Sequence, residues 1–141
     1  MAVPVADLIP FLARKPDQIA KGPLAVILIE DDAAVIETVQ HHLARGFRHV
    51  LSDRPVPLPD EMARRVTNLI FPTRKIDAHV DAVNAVIAAV PAGTWLYYCF
   101  NAEFLFYPFS ETRSVGELLA FHTEERREAM LTYVVDLYAG A

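Results

Sequence analysis

Apolar residues in this chain gather into short uniform runs separated by stretches with helical spacing. Leu24-Ala-Val-Ile-Leu-Ile29 contains no polar residue, the pattern of a strand buried on both faces. Glu30-Asp31-Asp32 closes that run and opens a predicted helix to about Arg45. Val35, Val39 and Leu43 share one of its faces, Ile36 flanks them, and Gly46 is the natural stop. Phe47 to Leu51 predicts a second strand, interrupted by Arg48 and His49. Pro55, Pro57 and Pro59 make the next loop stiff, because alternating prolines fit neither a helix nor a central strand. A short helix over 60–65 leads to a third strand, Asn68-Leu-Ile-Phe71.

Helical spacing returns over 77–90, with Val80, Val83, Ile87 and Val90 on one side, and Pro91-Ala-Gly93 breaks it. The run from Trp95 to Phe109 begins as a buried strand, turns polar at Asn101 and Glu103, and resumes with aromatics. Ser114-Val-Gly-Glu117 has the form of a capping box, so a helix begins there. It, or a second helix, extends to Tyr138 with Met130, Tyr133, Val134 and Leu137 inward. Upstream, Val5, Leu8, Ile9, Phe11 and Leu12 predict a short helix, and a linker runs to Gly22. Strands alternating with helices predict one α/β domain with a mainly parallel sheet, right-handed crossovers and helices on both faces.

Composition narrows the function classes. The 141 residues are 53% hydrophobic and 22% charged, enough for one core and one domain. A net charge of −5 argues against nucleic acid, whose phosphates are met by clustered Lys and Arg. Cys99 is the only cysteine, which excludes an internal disulfide and zinc spacing; its apolar surroundings predict an inert thiol. No apolar run is long enough for a transmembrane helix and no signal peptide is legible, so the expected location is cytoplasmic.

The acidic turn carries the candidate chemistry. Glu30, Asp31 and Asp32 cap the following helix, accept hydrogen bonds from a nucleotide base or ribose, or open a receiver-type signalling domain. The last reading rests on Ile27-Leu-Ile-Glu-Asp-Asp32. It fails downstream, where the third strand ends Ile70-Phe71-Pro72 without a phosphoacceptor aspartate. Arg74 and Lys75, beyond that strand, are placed to reach a diphosphate or to sit solvated. His41 and His42 point in different directions on a helix and predict surface contacts, one of them against the second strand. Phe104, Phe106, Tyr107 and Phe109 suit stacking on a base or sugar, a core, or a partner surface.

In order along the chain, the motifs resemble those of glycosyltransferase family 2-like proteins of the GT-A fold. Asp31-Asp32, His42-Leu-Ala-Arg-Gly-Phe47, Ala82-Val83-Asn84 and the Trp95 strand followed by Asn101-Ala-Glu-Phe-Leu105 match that family's sequence of elements over about 24–109. The resemblance implies a Rossmann-like three-layer sandwich, the nucleotide-sugar-binding half of such a fold, with a sugar passed to an acceptor. It implies donor contacts at Glu30, Asp31, Asp32, Asn84, Arg74 and Lys75, with Asn101 and Glu103 near the diphosphate. The family's metal-binding aspartates fall here on Phe100 and Ala102, so Mn²⁺ or Mg²⁺ is expected to bind only weakly, through Glu103. The acidic turn usual after the second strand is reduced to Ser52-Asp53. The family's catalytic base and acceptor contacts lie in a second half, so nucleotide binding is expected ahead of catalysis. The alternative is a non-catalytic α/β module meeting a protein partner or a second copy.

Overall fold

The computed structural model describes residues 5–71 and 77–135. In chain order the elements are β1 (Ala6–Asp7), α1 (Leu8–Ala13), a 3₁₀ turn (Asp17–Ile19), β2 (Leu24–Leu28) and α2 (Val35–Ala44). Then come β3 (His49–Ser52), α3 (Asp60–Ala63), β4 (Val66–Ile70), α4 (Ala78–Ala89), β5 (Leu96–Phe100) and α5 (Val115–Glu124). The five strands form one sheet in the order β1-β4-β3-β2-β5, and every pairing is parallel. The fold is α/β, a Rossmann-like three-layer sandwich.

β2 is the sheet's central support. It pairs with β3 on one side and β5 on the other, and all five of its residues are buried. Its alternate side chains enter two cores. Leu24, Val26 and Leu28 join α1 and α4 through Leu8, Phe11, Leu12, Ala82 and Val86. Ala25 and Ile27 join α2 and α5 through Val39, Leu43, Phe47 and Val115. At roughly 25 cal/mol per Å² of apolar area removed from water, these two cores are the main drive to fold. No helix among the described residues is long and apolar enough to cross a membrane.

The sequence pattern gives the strands well and some helical details poorly. α2 starts at Val35, later than the acidic turn suggests, and buries the predicted Val39 and Leu43. Its end is a Schellman motif at Gly46 (φ +102°), with the Phe47 and Gly46 N–H groups donating to His42 and Leu43 carbonyls. α4 turns a different face inward: Ala78, Ala82 and Val86 are buried, while Val80 and Ile87 are exposed. Small residues let that helix sit close to the sheet.

β1, which the apolar pattern does not announce, pairs with the outer side of β4. The Ser114–Glu117 capping box is present in full, and α5 ends at Glu124. The expected continuation through Met130, Tyr133 and Val134 is absent: residues 128–135 form no helix and are exposed. Leu137 and Tyr138 lie outside the described residues.

Candidate functional site

Setting β1 aside, the strand order reads 3-2-1-4, with β2 first and β5 fourth. That is the order of one half of a dinucleotide-binding sheet; receivers have 2-1-3-4-5. The two halves of such a sheet wind in opposite senses from the β2–β5 pair. Ligands of open α/β sheets sit in the crevice beyond the carboxyl ends of that pair. Asp31 follows β2 and Asn101 follows β5, so the topology delivers both to this point.

Asn101 is almost fully buried and uses its whole amide. Its Oδ1 accepts from the Glu30 N–H at 2.8 Å, and its Nδ2 donates to Asp31 Oδ1 at 2.6 Å and to the Ala33 carbonyl at 2.8 Å. Asp31 Oδ1 also accepts from the Ala33 N–H at 2.9 Å. That backbone bond first, then the Asn101 amide, hold the Asp31 carboxyl below its ordinary value, with help from the Arg54 charge. The acidic turn is therefore a fixed loop stitched to β5. No carboxylate caps α2; its N-cap is Ala34, which has no side-chain hydrogen bond. The capping expectation fails because Asn101 and the Ala33 N–H hold Asp31 instead.

Two alanines flank the crevice in the left-handed region, Ala34 at φ 49° and Ala102 at φ 63°. Each costs roughly 1–2 kcal/mol relative to an ordinary backbone conformation. The fully buried Thr38 hydroxyl ties them together, donating to the Ala34 carbonyl at 2.6 Å and accepting from the Ala102 N–H at 2.8 Å. Nothing in the apolar pattern singles out Thr38.

Glu103 Oε1 accepts from the Phe100 N–H at 2.6 Å, closing the turn after β5. Phe100 turns toward the α1–α4 core and meets the His79 ring at 5.8 Å. Neither position matched to a metal-binding aspartate offers oxygen from its side chain. Among the described residues no three His, Cys, Asp or Glu side chains converge. Asp31 and Glu103 each have one carboxylate oxygen outside these hydrogen bonds, but Asp31 is held by Asn101 and Glu103 by the Phe100 N–H, so they do not form a shared donor set for a hard cation.

The remaining candidates separate. Glu30 and Asp32 are exposed, and Asp32 lies 3.6 Å from Arg54 in a surface pair. Asn84 is exposed on α4 and has no hydrogen bond to the crevice residues. Arg74 and Lys75 lie outside the described residues.

Asp53, which the sequence marks only as a weak match, is nearly buried at the carboxyl end of β3. It takes the Phe71 N–H at 2.9 Å, with the Ile29 N–H a weaker second donor, while its own N–H donates to the Ile27 carbonyl. Burial raises its pKa against those two hydrogen bonds and the Arg54 charge.

The histidines do not stay on the surface as the helix position suggested. His42 is fully buried between Phe47 and Tyr97 and donates from Nδ1 to the Thr38 carbonyl at 2.7 Å. Its Nε2 therefore faces the Cys99 thiol as acceptor, at 3.9 Å. Burial lowers His42 to about 4 and pushes the Cys99 thiol upward, which leaves both neutral and unreactive. His41 Nε2 meets the Leu105 carbonyl at 2.9 Å and its ring packs on Phe104 and Phe106, drawing the aromatic loop onto α2 and away from the crevice.

Fold and site together define an open α/β domain with a stitched, strained turn at its switch point. Comparison with family models, curated proteins and solved structures finds no match to this chain.

Proposed function

We propose that the chain binds a nucleotide-sugar at the carboxyl ends of β2 and β5, as the donor half of a glycosyltransferase family 2-like protein. One observation carries the reading: Asp31 and Asn101 meet at 2.6 Å at the switch point of a 3-2-1-4 sheet, with Glu103 in the turn that follows β5. Strained backbone at Ala34 and Ala102 supports it, because such strain gathers at ligand sites. Asp31, kept ionised by its partners, is an acceptor suited to a base N–H or a ribose hydroxyl. A diphosphate belongs further from Glu30–Asp32, toward the first turn of α2, which has no side-chain cap.

A Mn²⁺ or Mg²⁺ ion fits this reading only as a weak guest completed by the donor's phosphate oxygens. The free oxygen of Glu103 is the chain's one contribution to it. Transfer would form a bond from an acceptor hydroxyl to the anomeric carbon while the bond to the diphosphate breaks. The nucleoside diphosphate departs and the acceptor proton passes to a base. No residue here is assigned as that base. A cytoplasmic location goes with a nucleotide-sugar donor.

The test is titration of UDP- and GDP-sugars against wild type and Asp31→Ala, with and without Mn²⁺. Binding that is lost in the variant supports the reading, and its absence in folded protein overturns it. The second reading, a non-catalytic module, is favoured by the exposed Phe106 and Phe109 on the β5–α5 loop.

A further inference from the structure

A sheet ends at two edges, and the two edges here differ. β1 is only two residues long and runs straight into α1, and short edges of this kind resist pairing with another chain. β5 is the opposite edge. The Leu24 N–H donates to the Trp95 carbonyl and the Asn101 N–H to the Leu28 carbonyl, which sets the alternation of the parallel ladder. Tyr97 and Cys99 therefore bond to β2, and Leu96, Tyr98 and Phe100 present N–H and C=O outward. Glu103 covers Phe100 through its carboxylate and its own N–H. Leu96 and Tyr98 have no such cover among the described residues. No charge and no proline guards Leu96-Tyr-Tyr-Cys-Phe100.

The second observation lies past α5. Arg126 adopts φ 59°, and the Arg127 and Arg126 N–H groups donate to the His122 and Thr123 carbonyls, a Schellman stop that fixes how the chain leaves the helix. Met130-Leu-Thr-Tyr-Val-Val135 follows, with no charge, proline or glycine and with high strand propensity. Leu131, Tyr133, Val134 and Val135 are 76–82% exposed. Among the described residues the main chain of 128–135 bonds to nothing.

We propose that Met130–Val135 of one copy adds as a strand to the open edge of β5 in a second copy, and reciprocally, giving a two-fold dimer. Six residues match the five of β5 in length. Main-chain bonds to Leu96 and Tyr98 supply affinity, and alternate apolar side chains supply fit. Trp95 Nε1 donates to Thr123 Oγ1 at 3.2 Å, so the arm leaves α5 beside the start of β5. Among the described residues the arm makes no main-chain bond to the edge of its own β5. Two-fold exchange between copies closes without further growth.

Sedimentation velocity on the full chain over a concentration series tests this. The expected species has twice the chain mass, and the Leu131→Lys/Val134→Lys variant is expected to be a folded monomer whose melting temperature, unlike that of wild type, does not depend on concentration. Mixing Tyr98→Cys with Val134→Cys chains under oxidation is expected to link one chain of each kind. A wild type that stays monomeric overturns the proposal. So does a dimer that survives both lysines, or a mixture in which no cross-link forms between the two kinds of chain.

Discussion

Asn101 and Asp31, 70 residues apart in sequence, meet at 2.6 Å and lock the acidic turn to the end of β5. The same amide holds the Glu30 N–H and the Ala33 carbonyl, so one side chain replaces the water that three polar groups would need. Asn101→Ala leaves those exposed groups to water and frees the turn, and is expected to cost about 1–2 kcal/mol by urea unfolding. Asn101→Asp also sets a second carboxylate against Asp31. It is expected to be weaker still at neutral pH and to recover partly in acid, where one carboxylate takes a proton.

Thr38 and the two left-handed alanines make predictions of opposite sign. Thr38→Val preserves shape but removes the hydroxyl that joins Ala34 to Ala102, with an expected loss of about 1–3 kcal/mol. Ala102→Gly relieves the backbone at φ 63° and is expected to gain up to about 1 kcal/mol. Thermal melts of both variants check the pair, and a stabilised Thr38→Val would contradict the assigned role.

His42 and His49 set the acid limb of stability. Burial lowers each to about 4 from an ordinary value of 6.5, so on acidification the unfolded chain binds protons before the folded one. The Arg65 charge adds to the effect at His49. Stability is complete above pH 6.5 and falls between there and about 4, by roughly 2–3 kcal/mol per histidine. Urea midpoints recorded through this range are expected to drop steadily. His42→Leu is expected to remove about half of the slope, whatever its absolute stability.

Asp53 holds the ends of β2 and β4 together through the Ile29 and Phe71 N–H groups. Asp53→Ala leaves the buried Phe71 N–H without a partner and is expected to cost about 1–3 kcal/mol in urea unfolding. Asp53→Asn keeps one carbonyl acceptor and is expected to fall between the alanine variant and wild type.

What the sequence shows follows from what local pattern can encode. β2 is legible because burial on both faces leaves an unbroken apolar run. The capping box at Ser114 and the stop at Gly46 are legible because each is local chemistry. The inward face of α4 is not, since alanines and valines surround it with little polar contrast. The start of α2 is misread because the side chain holding Asp31 comes from beyond β5. The stop after α5 carries no glycine; Arg126 takes the left-handed position instead. The resemblance to glycosyltransferases brought Asp31, Asn101 and Glu103 into view, while Thr38 and the depth of Asp53 needed three dimensions.

Donor binding at the crevice is tested by a map of backbone amide shifts in labelled protein as UDP- or GDP-sugar is added. Saturable shifts confined to the switch point, at residues 30–38 and 100–103, are expected. Amides that stay unmoved at every donor concentration, or that move only in the aromatic loop over 104–109, would contradict donor binding there.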